Sequence, residues 1–303
     1  MNKRGNELIR KWRAACHPNT VFHSTYFTFL ESKVPQVASV YDMNHERFPE
    51  RYDSEWGRQL RSQYRAYVAR ATRVIAISDQ TRGDITRYYG VPAEQIDVIP
   101  LAVCRDTFKY DQTLKQSGVL ASVYNIDRPY LLFVGMRNTA YKNFREFLAT
   151  FAHSGMGESL LLVVAGADWN DEERLLLGRL NVKDSVRLVV HPDNTVLRNL
   201  YSSSLAFVYP SLFEGFGIPL LEAMACETLV LASDTPIFRE VGGDAPVYFE
   251  PLDPGSMIRA MSQALDPLVR ETHIRRGRDR VSQYSWERCA RDTYRVYQRV
   301  LGR

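Results

Sequence analysis

The residues best suited to chemistry in this 303-residue chain lie in one stretch, Pro210 to Ala225, which reads PSLFEGFGIPLLEAMA. Two carboxylates, Glu214 and Glu222, flank a turn containing Gly215 and Gly217. Glycine lets backbone approach a ligand closely, and Pro219 suits a first helical turn, where a missing N–H costs nothing. The apolar run before it, Leu205 to Tyr209, reads as a strand, so the stretch predicts a strand passing through a glycine turn into a helix. Such a turn aims backbone N–H groups and the positive end of the helix at an anion, a phosphate above all. Carboxylates beside a phosphate site accept hydrogen bonds from sugar hydroxyls, as the acidic residue of dinucleotide-binding folds does. An isolated pair of glutamates at this spacing is more often two surface carboxylates, so the weight rests on the glycines, the proline and the preceding strand.

The elements that must position this stretch alternate between short apolar strands and amphipathic helices, the pattern of parallel sheets covered on both faces. Strands are expected at Thr20 to His23, Gln36 to Tyr41, Arg73 to Ile77 and Ile96 to Ile99, with helices at Gly57 to Ala69 and Ser78 to Tyr89. Ser78 is a good N-cap, and Gly90-Val91-Pro92 closes that helix. Residues 110–128 mix polar residues with Gly118 and read as a connection. A second series follows, with strands at Tyr130 to Gly135, Leu160 to Gly166, Val186 to Val190, Leu205 to Tyr209, Leu229 to Ala232 and Val247 to Phe249. Six strands make a full Rossmann-like sheet. A last helix is expected from Trp286 to Leu301.

Composition narrows the class. Hydrophobic residues at 45% and charged residues at 24% are those of an ordinary folded chain. A net charge of +4, dispersed over the chain, gives no footprint for nucleic acid. The arginine-rich run Arg275 to Arg280 is interrupted by Asp279 and reads as a solvated helix face. Cys16, Cys104, Cys226 and Cys289 are far apart, which points to neither a metal site nor a disulfide framework and fits a reducing compartment. No apolar run approaches the roughly 18 residues of a membrane span, and no apolar signal core follows the first basic residues, so a cytoplasmic location is expected. Asn6 to Ala15 reads as a solvated helix; Arg4 with Arg10, Lys11, Trp12 and Arg13 could also form a basic-aromatic strip that touches anionic lipid at the inner face of a membrane.

The motif from Glu214 to Ala225 resembles the signature of the GT-B glycosyltransferases, specifically the retaining family 4 group, over nearly its whole length. Upstream, Tyr130 to Gly135 followed by Arg137 and Tyr141-Lys142-Asn143-Phe144 is similar to the segment in which an arginine and a lysine grip the donor diphosphate in that family. Downstream, Ser233 to Pro236, Glu240 to Ala245 and Phe249 to Pro251 resemble its closing segment, with Arg239 where a proline is common; Tyr284 to Arg288 resembles the start of the helix that crosses back to the first domain. The resemblance implies two Rossmann-like domains facing a cleft: an acceptor-side domain of residues 1–109 joined by a crossover helix of residues 287–303, a linker of 110–128, and a donor-binding domain of 129–286. It implies a hexosyltransferase that moves a sugar from a nucleotide diphosphate sugar to a hydroxyl of a saccharide or lipid-linked acceptor, with retention and without a metal or cofactor. Polysaccharide or glycolipid synthesis at the cell envelope is the expected setting. Arg137, Lys142 and Glu214 are the implied catalytic residues, and Gly135, Gly215, Phe216, Gly217 and Glu222 the implied donor-binding residues. No protein nucleophile is implied, because the leaving phosphate itself can take the acceptor's proton.

The first half departs from that pattern. Val40 to Met43 and Glu46 to Pro49 stand in the place of an H-D-x-x-P-x-x-F-P segment, with Tyr41 for the histidine. Tyr41, Asp42 and His45, the last read as an exposed loop residue, are the acceptor-side candidates. The first domain looks shortened at its beginning, which would leave a sheet edge to be covered by the N-terminal helix, by self-association or by a partner subunit. The alternative function is therefore a nucleotide-sugar-binding subunit inactive without a partner chain.

Overall fold

The computed structural model describes residues 19–303. The helix expected at Asn6 to Ala15 and its basic-aromatic strip lie outside the described residues. The chain divides into two compact units, Met1–Leu101 with Trp286–Arg303, and Ala102–Ser285.

In the first unit, strands β1 (Phe22–Ser24), β2 (Gln36–Val40), β3 (Arg73–Ala76) and β4 (Ile96–Val98) form a parallel sheet in that order. Among the described residues β1 pairs only with β2. Alternation along the strands divides the core between two faces. Ala38, Val40, Val74, Ala76 and Ile96 pack with Tyr64, Tyr67, Val68 and Ile85 from helices α2 (Glu55–Ala69) and α3 (Asp79–Tyr89), the range of a one-turn helix α1 being Asn44–Arg47. Val37, Ile75 and Ile99 face Val296 of the last helix, Trp286–Val300. That helix is fastened at its far end as well, by Arg299 donating to Asp97 at 2.6 Å while Arg73 pairs with the same carboxylate at 2.8 Å.

The second unit holds six parallel strands, β5 (Tyr130–Val134), β6 (Leu161–Gly166), β7 (Val186–Val190), β8 (Ala206–Tyr209), β9 (Leu229–Ser233) and β10 (Val247–Phe249), in the order β10-β9-β8-β5-β6-β7. The direction of winding reverses between β5 and β8, and ligands of open α/β sheets bind outside the carboxyl ends of the strands at such a switch point. The crossover helices, taken in order after two short helices α4 (Gln112–Gln116) and α5 (Val119–Tyr124), are α6 (Phe144–His153), α7 (Asp171–Arg179), α8 (Asn194–Ser203), α9 (Ile218–Ala225), α10 (Pro236–Gly242), α11 (Pro254–Gln263) and α12 (Pro267–Val281); Trp286–Val300 is then α13. Residues 110–128, expected as the inter-domain connection, carry α4 and α5 and cluster with this unit. Apolar residues on both faces of β5, β6, β8 and β9 are fully buried, the reason these strands read as continuous apolar runs.

Local chemistry at the helix ends follows the sequence. The Ser78 hydroxyl accepts from the Thr81 N–H at 3.1 Å, and Gly90 closes α3 with φ +68°. Replacing Ser78 by alanine removes that acceptor and is expected to cost about 1 kcal/mol, read as a lower urea midpoint with an unchanged slope.

Candidate active site

The site is built where the chain leaves β5 and β8, adjacent strands of one sheet. Gly135 directly follows β5, and its φ of +125° is a backbone state open in practice to glycine. Beside it Gly166 ends β6, and a Cβ there would lie 2.7 Å from the Gly135 carbonyl oxygen. The two strand ends approach this closely only because residue 166 has no side chain, a requirement the sequence motif did not display.

From β8 the chain runs through Ser211 to Gly217 into α9. Gly217 is the N-cap residue, with φ +100°, and an added Cβ would press on the Phe238 ring at 3.1 Å. No side chain caps α9; Pro219 has no N–H and the Leu220 N–H donates to the Gly217 carbonyl at 3.0 Å, so the Ile218 N–H is the first-turn amide open to another acceptor. The Leu212 N–H donates to the Tyr141 carbonyl at 2.7 Å, joining this loop to the one after β5. Side chains repeat the connection: the Lys142 ammonium lies 2.7 Å from Glu214 Oε1, with only 15% and 13% of the two side chains exposed. The Tyr209 ring is buried beneath, 5.9 Å from the ammonium, and its phenol is pushed up by burial and by Glu214, with Glu222 contributing. Both carboxylates of the motif therefore lie near one buried ring.

Glu222 is partly buried on α9, and the Tyr201 hydroxyl from α8 donates to its Oε2 at 3.1 Å. Burial raises the Glu222 carboxyl above its ordinary range while that hydrogen bond works in the opposite direction. One oxygen is thus fixed by a fully buried tyrosine. Tyr201 and Tyr209 are neighbours of the candidate site that motif reading missed; as aromatics in apolar runs they look like core.

Two expected site residues are buried. Arg137 is 7% exposed and pairs with Glu173, with Nε to Oε1 at 2.9 Å and Nη2 to Oε2 at 3.2 Å, while its buried Nη1 has no hydrogen-bond partner. Its Nη2 also donates to the carbonyls of Ala167 and Asp168 at 2.8 and 3.0 Å, and Trp169 stacks on the guanidinium at 4.4 Å. A buried cation requires such a counter-charge. Glu173 is at the same time the third residue of the Asn170 capping box, so the pair ties the loop after β5 to the start of α7. Asn170-x-x-Glu173 is legible as a cap, but its partner 36 residues earlier is not. Phe216 has its ring buried edge-on against Tyr284 at 5.9 Å, so this side chain is part of the core under the loop.

Of the first-unit candidates, Tyr41 is 39% exposed just beyond β2, and Asp42 accepts from the Asn44 N–H at 3.0 Å. His45, expected as an exposed loop residue, is 3% exposed on α1, packed on Tyr64 at 4.1 Å between ring centroids, with Nε2 2.7 Å from the Tyr89 hydroxyl. Burial pushes its pKa down to about 4, Glu46 opposing and Arg61 adding to the shift. It is a neutral core residue because no carboxylate reaches the ring closely enough to offset its lost hydration.

The profile of the glycosyl transferases group 1 matches residues 121–279, and that of Glycosyltransferase Family 4 matches residues 3–106. The chain belongs to the glycosyl transferases group 1. This group 1 chain is 26% identical over 291 residues to the O-antigen chain mannosyltransferase B of Escherichia coli, covering 94% of itself and 76% of that protein. It is 30% identical over 253 residues to the alpha-maltose-1-phosphate synthase of Mycobacterium tuberculosis, covering 78% of itself and 65% of that protein. Its fold matches the sucrose-phosphate synthase of Thermosynechococcus elongatus with a TM-score of 0.80 at 23% identity, over 98% of this chain and 77% of that one. The GT-B class is thereby shown, with a parallel sheet in each unit.

Glu173→Ala leaves a buried guanidinium unpaired and is expected to lower stability by about 3 kcal/mol or more, whereas Arg137→Met combined with Glu173→Leu recovers most of the loss, both measured by urea unfolding. His45 gives a second expectation. Its folded pKa lies below the unfolded value near 6.5, so its stabilising contribution is complete above pH 6.5 and is lost as pH falls through about 4. Up to about 3 kcal/mol of acid destabilisation in that window should vanish in His45→Gln when stability is followed against pH.

Proposed function

We propose that the chain transfers a hexosyl group from a nucleotide diphosphate sugar to a hydroxyl of a saccharide or lipid-linked acceptor, with retention at the anomeric carbon and without a metal ion, in cell-envelope polysaccharide or glycolipid synthesis. The observation that carries this reading is the Lys142–Glu214 pair 2.7 Å apart at the switch point, beside the uncapped amino end of α9. An ammonium held there stabilises the charge that develops on a departing diphosphate. The amino end of α9, with the Ile218 N–H, adds to it, Glu214 takes hydroxyls of the transferred sugar, and Glu222, held by Tyr201, takes those of the ribose. Arg137 acts by fixing the loops around Gly135 and Gly166. The leaving phosphate accepts the acceptor's proton, so no protein nucleophile enters. Relatives whose names describe mannosyl transfer and maltose-1-phosphate synthesis support a hexose donor.

A second reading, a donor-binding subunit active only with a partner chain, is favoured by Tyr41 standing where the related pattern has histidine. Activity of the purified chain alone, against activity with added partner, separates the two.

The test is a thermal-shift panel of UDP, GDP, ADP and TDP with their hexose conjugates, with and without EDTA. Ligand that binds the folded form raises the melting temperature by an amount that grows with the logarithm of its concentration over its Kd. One nucleotide is expected to give a shift insensitive to EDTA, reduced in Lys142→Ala and abolished in Glu222→Gln. Because burial raises the Glu222 carboxyl, affinity for the ribose should weaken as pH falls through a value above the ordinary carboxylate range. Full binding and turnover in folded forms of both variants would overturn the site assignment, and retention is read from the anomeric configuration of the product.

A further inference from the structure

At the carboxyl end of the first unit's sheet, two large aromatic side chains stand in solvent: Tyr26 is 68% exposed and Trp56 66%. Tyr26 follows β1. Trp56 opens α2, which returns antiparallel to the strands and so brings its amino end to the same side of the sheet. Tyr41 and Asp42 leave β2 at that side as well.

Neither ring is a loose surface residue. The Tyr26 ring lies on Phe27 at 3.7 Å, Phe27 on Tyr64 at 4.4 Å and Tyr64 on His45 at 4.1 Å; His45 meets Tyr52 edge-on at 6.3 Å, and Tyr52 stacks on Trp56 at 6.5 Å with 24° between planes. Six aromatic rings thus run through the core from one exposed ring to the other. The backbone at both ends is specialised. Phe27 has φ +25°, a state bulky residues rarely occupy, and it is held by the Ser24 hydroxyl accepting from the Thr28 N–H at 3.3 Å and by Tyr67 donating to the Ser24 carbonyl at 2.6 Å. At the other end a Cβ on Gly57 would lie 2.3 Å from the Tyr52 carbonyl oxygen, so the close turn that stacks Tyr52 on Trp56 requires glycine there.

We propose that Tyr26 and Trp56 are stacking platforms for the pyranose rings of an oligosaccharide acceptor. This rests on the transferase reading and names its acceptor class. Aromatic faces receive the C–H faces of sugars, and the polar groups between them receive the hydroxyls. The charges around Trp56 favour a neutral saccharide over an anionic bilayer: Glu50, Asp53 and Glu55 stand against Arg51 and Arg58, and the Asp53 side chain is 84% exposed.

The test uses the full chain and its Trp56→Ala, Tyr26→Ala and Trp56→Phe variants, with mannotetraose and maltotetraose as probes in saturation-transfer NMR. At least one tetrasaccharide is expected to bind, with apparent affinity at least fivefold weaker in either alanine variant and retained in Trp56→Phe, while the nucleotide-induced thermal shift is unchanged in all three. Equal binding by the alanine variants overturns the proposal. So does absence of tetrasaccharide binding, and so does Trp56-dependent sedimentation with phosphatidylglycerol–phosphatidylethanolamine vesicles in place of saccharide binding. A nucleotide shift without saccharide binding removes the platforms alone; saccharide binding that depends on Trp56 without any nucleotide shift removes the transferase reading and leaves the platforms standing.

Discussion

The second unit depends on one juxtaposition, the loops after β5 and β8 held side by side at the reversal of the sheet. β5 and β8 are neighbours although two strands and three helices intervene between them in the chain. Their loops are joined by a backbone bond from Leu212 to Tyr141 and by the ion pair of Lys142 with Glu214. The pair is mostly shielded from water, so its geometry and its remaining hydrogen bonds decide whether it stabilises. In the proposed reaction the donor diphosphate would offer the ammonium a second anion at the same place.

Around that junction, rigidity is supplied by buried side chains. Arg137 spans the loop after β5, the carbonyls after β6 and the start of α7, and Tyr201 fixes one oxygen of Glu222. Gly166 has the inverse role, since omitting a side chain allows two strand ends to meet. Such supports hold a binding group in place with little loss of freedom when ligand arrives.

The two units use their aromatic residues differently. In the second unit the rings of Phe133, Phe144, Phe147, Phe151 and Phe207 fill the space between sheet and helices. In the first a chain of rings passes through the core and emerges at both ends. Composition cannot separate these uses, because an aromatic residue at helical spacing reads as core in either case.

The sequence by itself determined the strand and helix pattern, the parallel class of both sheets, the caps at Ser78 and Gly90, and the loop from Glu214 to Gly217 with Glu222 one element later. Those features are set by periodicity, by backbone freedom at glycine and proline and by contacts a few residues long, all of which short windows of sequence carry. Tertiary structure alone decided that Arg137 faces Glu173, that His45 is buried on Tyr64, that α4 and α5 cluster with the second unit, and that Tyr26 and Trp56 stay in solvent. Each of these depends on burial or on a partner distant in the chain. A charged or aromatic residue carries no local sign of whether folding will remove it from water.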